Sequence, residues 1–119
     1  MHCQRKLDMD TPEFKIIYSQ EVIEFLNSIN AKAKAKIMYN INRSKYVMDK
    51  SLFKKLANSE IWEFRTQYSG IQYRIFAFWD NDTETFVITT HAIIKKTQKT
   101  PKREIEKAER IMKEYFKNK

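Results

Sequence analysis

The chain has few of the residues that interrupt or cross-link a fold: one glycine, two prolines and one cysteine in 119 residues. A single cysteine rules out an internal disulfide. Cys3 also sits in a polar leader, where it reads as a bystander rather than a nucleophile. His2 and His91 are the only histidines, so no Cys/His set has the spacing of a metal site. One glycine cannot build a Gly-rich phosphate loop, and neither a paired acidic metal site nor a Ser-His-Asp pattern is legible. No metal and no cofactor are therefore expected. The longest apolar runs, such as IFAFW at 75–79, are far too short to span a bilayer, so no membrane partner is expected. The first residues, MHCQRKLDMD, lack the apolar segment of a signal peptide, which predicts a cytoplasmic location.

What is abundant is apolar and basic. Hydrophobic residues make up 42% and aromatics 13%, enough for a packed core and too much for a disordered chain. The length suits one compact domain. Net charge is +8 with a pI near 9.6. Residues 95–119 hold ten Lys/Arg against four Glu, so +6 of that excess lies in the last fifth of the chain. A bias of this kind suits a polyanionic partner, although a solvated helix with surplus lysines has the same composition.

The order of elements reads as β-α-α-β-β-β-α, an α+β fold with an antiparallel-rich sheet packed against helices. Residues 1–12 read as a loose leader, and 13–119 as a single domain. EFKIIY at 13–18 is a short strand. Ser19 can cap a helix carrying Val22, Ile23, Phe25, Leu26 and Ile29. Asn30 can cap a second helix over 31–48, with Ala33, Ile37, Ile41 and Met48 on one face. DKSLFKKLANS at 49–59 reads as a connection. Strands follow at 61–68, 71–79 and 85–92, with turns at Ser69-Gly70 and at 80–82. In the first of these, Trp62, Phe64, Thr66 and Tyr68 share one face, while Glu63, Arg65 and Gln67 share the other. A last helix begins with Thr100 as cap and Pro101 at its first position. Its stripe Ile105, Ala108, Met112 and Tyr115 or Phe116 packs on the sheet or meets a partner.

Arg65 and Arg74 stand among aromatic and aliphatic neighbours on adjacent strands, and arginine is costly to bury without a partner. If they face the same side, their guanidinium groups form a fork for phosphate oxygens. Pairing of Arg65 with Glu63 as an ordinary sheet ion pair explains the same spacing. Lys95, Lys96 and Lys99 cluster after the third of these strands, where like charges lower one another's pKa and make a lysine a candidate proton donor or acceptor. His91 is expected at the strand end beside that cluster. Tyr68 and Tyr73 bracket the turn next to the arginines and could stack on a base or pack in the core. Without a metal, cleavage of RNA by its own 2′-OH fits such a cation cluster.

WEFR at 62–65, YRIF at 73–76, IIKKTQKTP at 93–101 and EIEKAER at 104–110 together resemble HigB-type toxins of the RelE/ParE superfamily, over about residues 13–117. The resemblance implies the small RelE-like fold and the toxin of a bacterial type II toxin–antitoxin module. The implied activity is ribosome-dependent mRNA cleavage in the A site without a metal. The implied partner is a HigA-like helix-turn-helix antitoxin. Carried over by position, the catalytic set is Arg74, Arg65, Lys95 and Lys96, with His91 the only histidine available to join it. Tyr68, Lys99 and Arg103 are expected to bind RNA. Two other readings stay open: a ParE-like toxin that inhibits gyrase by binding, and a non-catalytic RNA- or partner-binding protein.

Overall fold

The computed structural model describes residues 14–82, 85–95 and 99–119. Among them are five strands and three helices: β1 Lys15–Ile17, α1 Gln20–Ser28, α2 Ala31–Ser44, β2 Phe53–Lys55, β3 Trp62–Tyr68, β4 Ile71–Asp80, β5 Phe86–Lys95 and α3 Lys102–Lys117. The strands form one sheet in the order β1-β5-β4-β3-β2. Only the β1–β5 pair is parallel. The α+β class and the antiparallel-rich sheet stand as expected, and the arrangement is consistent with a RelE-like fold. The expected leader at 1–12 lies outside the described residues.

Local chemistry sets most boundaries. The Ser19 side chain accepts from Val22 N–H at 3.1 Å and starts α1. The same residue ties the helix to the sheet, donating its backbone N–H to Thr89 Oγ1 at 2.8 Å and its hydroxyl to the Thr90 carbonyl at 2.9 Å. Asn30 Oδ1 accepts from Lys32 N–H at 2.7 Å and starts α2. α2 stops at Ser44, short of the expected 48. Its end tightens into three-residue bonds, Lys45 N–H to the Asn42 carbonyl and Tyr46 N–H to the Arg43 carbonyl. Met48, expected on the buried face, is 76% exposed as a result.

Three further differences have physical causes. The connection at 49–59 contains β2, which adds to the sheet edge by pairing Phe53, Lys54 and Lys55 with Phe64, Glu63 and Trp62. β5 runs on to Lys95, so Ile93, Ile94 and Lys95 belong to a strand and not to a loop. The cap of α3 is Pro101, with no side-chain cap bond. The Thr100 hydroxyl donates to the Glu63 carboxylate instead and accepts from the Lys95 ammonium, a charged donor in the place of a helix amide.

Side chains alternate across the sheet into two cores. α1 and α2 cover one face, where Val22, Leu26, Ile37 and Ile41 meet Phe53, Phe64, Tyr73, Ile75 and Val87. An aromatic row stiffens it: Phe53 stacks on Phe64 at 4.1 Å, and Trp79 meets Trp62 edge-on at 5.6 Å. α3 covers the other face, where Ile105, Ala108, Met112 and Tyr115 pack on Leu56, Ile61, Phe76, Phe78 and Ile88. The α3 stripe thus packs on its own sheet. Burying side chains such as Phe76 and Phe78 contributes about 1.5–3 kcal/mol each.

Candidate functional site

The β3–β4 hairpin turns in two residues. Ser69 has φ 51° and Gly70 φ 78°, so both central positions are left-handed, the turn that matches strand twist. Tyr68 then opposes Ile71, and counting back opposes Arg65 to Arg74. The two guanidinium groups share the face covered by α3.

β5 delivers a third cation by an irregularity. Ile75 opposes Ala92 and Ala77 opposes Thr89, so Thr90 and His91 together face Phe76. This extra residue is a β-bulge, and it reverses the alternation of the rest of the strand. Before it, Phe86 and Ile88 belong to the α3 side. After it, Ile93 opposes Arg74 and Lys95 opposes Gln72, so both lie on that side. Without the bulge the same sequence would place Ile94 on this face and send Lys95 to the other.

Glu63 is the hub of the cluster. Its Oε1 lies 3.4 Å from Arg65 Nε and 3.5 Å from Arg74 Nε. Both expectations for Arg65 therefore hold together: it faces Arg74, and it pairs with Glu63. These contacts are long, and neither Nε has a hydrogen-bond partner among the described residues. On the other side, Thr100 Oγ1 donates to Glu63 Oε2 at 2.9 Å, and Lys95 Nζ donates to Thr100 Oγ1 at 3.2 Å. Arg74 is 2% exposed and is further fixed by bonds from its terminal nitrogens to the Tyr73 carbonyl at 2.9 Å and Gln72 Oε1 at 3.0 Å. Burial pushes the Arg74 pKa down, opposed by Glu63 and reinforced by Arg65. Burial likewise pushes the Lys95 ammonium down, opposed by Glu63 and reinforced by Arg74, Arg65 and Lys54.

Two clefts open on this cluster, and Arg65 stands in the wall of both. The larger, about 630 Å³, runs between β2–β3 and the start of α3, where Lys54, Glu63, Lys99, Thr100 and Lys102 line it. The smaller, about 230 Å³, lies beside the hairpin, with Gln67, Gln72, Arg74 and Ser51 around Arg65. An anion in the smaller cleft meets both guanidinium groups, whereas in the larger it meets Arg65 and the lysines, with Glu106 and Glu109 also in the wall.

Other expected residues are placed elsewhere. Tyr68 packs with the core under α1 and α2, away from the arginine face. His91 is not at a strand end. It lies within β5, 1% exposed, against the Phe76 ring at 4.8 Å. Its Nδ1 contacts Thr90 Oγ1 at 3.1 Å and its Nε2 contacts Glu104 Oε1 at 3.0 Å. Burial is the largest influence on this imidazole and pushes its pKa down. It lines neither cleft. Lys99 borders the larger cleft, while Arg103 points outward, 85% exposed, near Glu104. Lys96 lies outside the described residues. The members that sequence reasoning missed are Thr100, Gln72 and Lys54. A threonine just before a helix reads as a cap, and the strand carrying Lys54 has only three residues.

Residues 24–113 match the family described as phage-derived Gp49-like proteins. The chain belongs to that family. Gp49-like proteins are associated with toxin–antitoxin systems and are related to RelE-type toxins. The match contains the whole Glu63–Arg65–Arg74–Lys95–Thr100 cluster. None of the curated proteins matches the chain. Among the described residues, no helix is long and apolar enough to cross a membrane, and no group of three His, Cys, Asp or Glu is placed to hold a metal.

Proposed function

We propose that the chain is the HigB-type toxin of a type II toxin–antitoxin module, and that it cleaves mRNA in the ribosomal A site through attack of the RNA's own 2′-OH. The observation that carries this is the direct opposition of Arg65 and Arg74 on one sheet face, with Lys95 brought beside them by the bulge. Three cations around one buried carboxylate leave net positive charge where a scissile phosphate would sit. Membership in a toxin-associated family supports the toxin role and an antitoxin partner, expected to be HigA-like.

In that reaction the 2′-oxygen bonds to phosphorus and the P–O5′ bond breaks, leaving a 2′,3′-cyclic phosphate and a 5′-OH end. The 2′-OH proton must go to a base, and the 5′-oxygen must receive one. Arg65 and Arg74 are assigned to the pentavalent phosphate. Glu63, Thr100 and Lys95 form a hydrogen-bonded row from carboxylate to ammonium, along which a proton can pass. Lys95, whose ammonium burial pushes down, lines neither cleft and is assigned to exchange protons with the larger one through Thr100. His91, buried between Phe76 and Glu104, is assigned to holding α3 on the sheet.

Induction in bacteria followed by mapping of mRNA 5′ ends tests the reading. Codon-linked cuts bearing 5′-OH ends are expected within minutes. Growth arrest with intact mRNA and a DNA-damage response would favour gyrase inhibition instead.

A further inference from the structure

The sheet face opposite the cleft carries a second cationic feature. No carboxylate lies between Glu24 and Asp49, a stretch that holds Lys32, Lys34, Lys36, Arg43 and Lys45. α2 fills most of it. Lys34 is turned inward to α1, donating to Asn27 Oδ1 at 2.8 Å. Lys32, Lys36, Tyr39 and Arg43, spaced four, three and four residues apart, form a single exposed stripe about 16 Å long. Tyr39 is 59% exposed, and Lys36 Nζ sits 5.5 Å from its ring centre. Asp49, beyond the helix end, is the acid that Arg43 feels, and its carboxylate is taken up by Ser51.

We infer that the Lys32–Lys36–Tyr39–Arg43 stripe of α2 is a docking surface for the phosphate backbone of double-helical RNA. Charge complementarity names the polyanion. The composition separates RNA from an acidic protein, because lysine is depleted in the cores of protein interfaces and no aliphatic anchor lies in the stripe. Lys, Arg and Tyr are phosphate-contacting types, and a straight row of flexible cations suits the regular phosphates of an A-form helix rather than any base edge. Because the stripe and the cleft lie on opposite sheet faces, they hold different RNA segments: the stripe anchors on a duplex while the cleft takes a single strand. The inference does not depend on cleavage, since binding to a duplex is read without it.

The test is fluorescence anisotropy of a labelled 20-base-pair RNA duplex with the purified full chain across a salt series. The stripe variant is Lys32→Ala/Lys36→Ala/Arg43→Ala. A charge-matched control, Arg110→Ala/Lys113→Ala/Lys117→Ala, alters the exposed side of α3 instead. All the altered residues are exposed, and circular dichroism checks that each protein is folded. The stripe variant should lose at least about tenfold in affinity at 0.1 M salt, and its salt slope should fall by about 2, the loss of two to three phosphate contacts. The control should stay within about twofold of wild type. Equal losses in both variants would mean that only net charge matters and would overturn the inference. So would an unchanged stripe variant, or a wild-type chain that does not bind the duplex. If the stripe variant keeps its RNA affinity and loses only binding to poly-glutamate, the surface is a protein-docking face and the inference also falls.

Discussion

Glu63 stands between two guanidinium groups and is bonded closely to neither, with 3.4 Å to Arg65 and 3.5 Å to Arg74. A carboxylate so shared keeps the buried Arg74 and the half-buried Arg65 tolerable side by side without occupying all their donors. Each arginine has a separate anchor. Arg74 is held by the Tyr73 carbonyl and Gln72, and Arg65 reaches the Lys50 carbonyl at 3.4 Å. His91 has the opposite design, with both ring nitrogens engaged inside the fold. Burial holds its folded pKa below the ordinary 6.5. The unfolded chain therefore takes up the proton first as pH falls below 6.5, and stability should decline from there until the folded imidazole is also protonated. Thermal melts of wild type and His91→Gln between pH 7 and pH 5 check this. The slope should flatten in the variant, and parallel curves would mean that folded His91 is not held neutral.

Elements, more than single residues, decide where the cations meet. The two-residue turn fixes the β3–β4 register, and Gly70 at φ 78° allows it. A Cβ there would meet no heavy atom within 4 Å, so Gly70→Ala acts through backbone strain alone. It should cost about 1–2 kcal/mol. Urea titration should show a lower midpoint with an unchanged slope. The hairpin was legible in the sequence, since Ser69-Gly70 between alternating runs is a local signal. The helices were legible for the same reason, through caps at Ser19 and Asn30 and apolar residues at helical spacing. The bulge at Thr90–His91 was not. β-branched residues flank it on both sides, Val87 to Thr89 before and Ile93 and Ile94 after, and only pairing with β4 reveals the extra residue. β2 was hidden because three residues carry no period. The parallel β1–β5 pairing is non-local and leaves no mark on either segment. Of the candidate site, Arg65, Arg74 and Lys95 were found as residue types in context. Their shared face depended on turn length and on the bulge together. Tyr68 lies on the face opposite the arginines, as strand alternation already implied; its expected RNA contact rested on nearness to the turn, which does not distinguish the two faces.

At the scale of the molecule, the sheet separates two basic surfaces and is clamped on the α3 side by ties at both ends of that helix. Near its start, Glu104 meets His91, and Lys107 Nζ bonds Glu21 of α1 at 2.9 Å. At its end, Asp80 accepts from Tyr115 Oη at 2.7 Å and from Lys119 Nζ at 2.9 Å. Bonds from Lys119 and Tyr115 hold the Asp80 carboxyl down to about 2, from 3.8. A depressed carboxyl contributes stability that is present above its unfolded pKa and lost as pH falls through the folded one. Asp80→Asn should therefore be less stable than wild type at neutral pH, and the gap should close between about pH 4 and pH 2. Melting temperatures across that range read it directly. A constant gap would mean that the tie is not ionic.

The proposed cleft depends most on Arg74, and that dependence can be measured with single-turnover cleavage of mRNA on programmed ribosomes. Wild type should release fragments with 5′-OH ends at an A-site codon. Arg74→Ala, checked by circular dichroism and by retained antitoxin binding, should be slower by at least about a hundredfold, the scale of losing one preorganised donor. Arg74→Lys keeps the charge but not the fork, so it should recover only part of the rate. A folded Arg74→Ala protein that cuts at the wild-type rate would contradict the account.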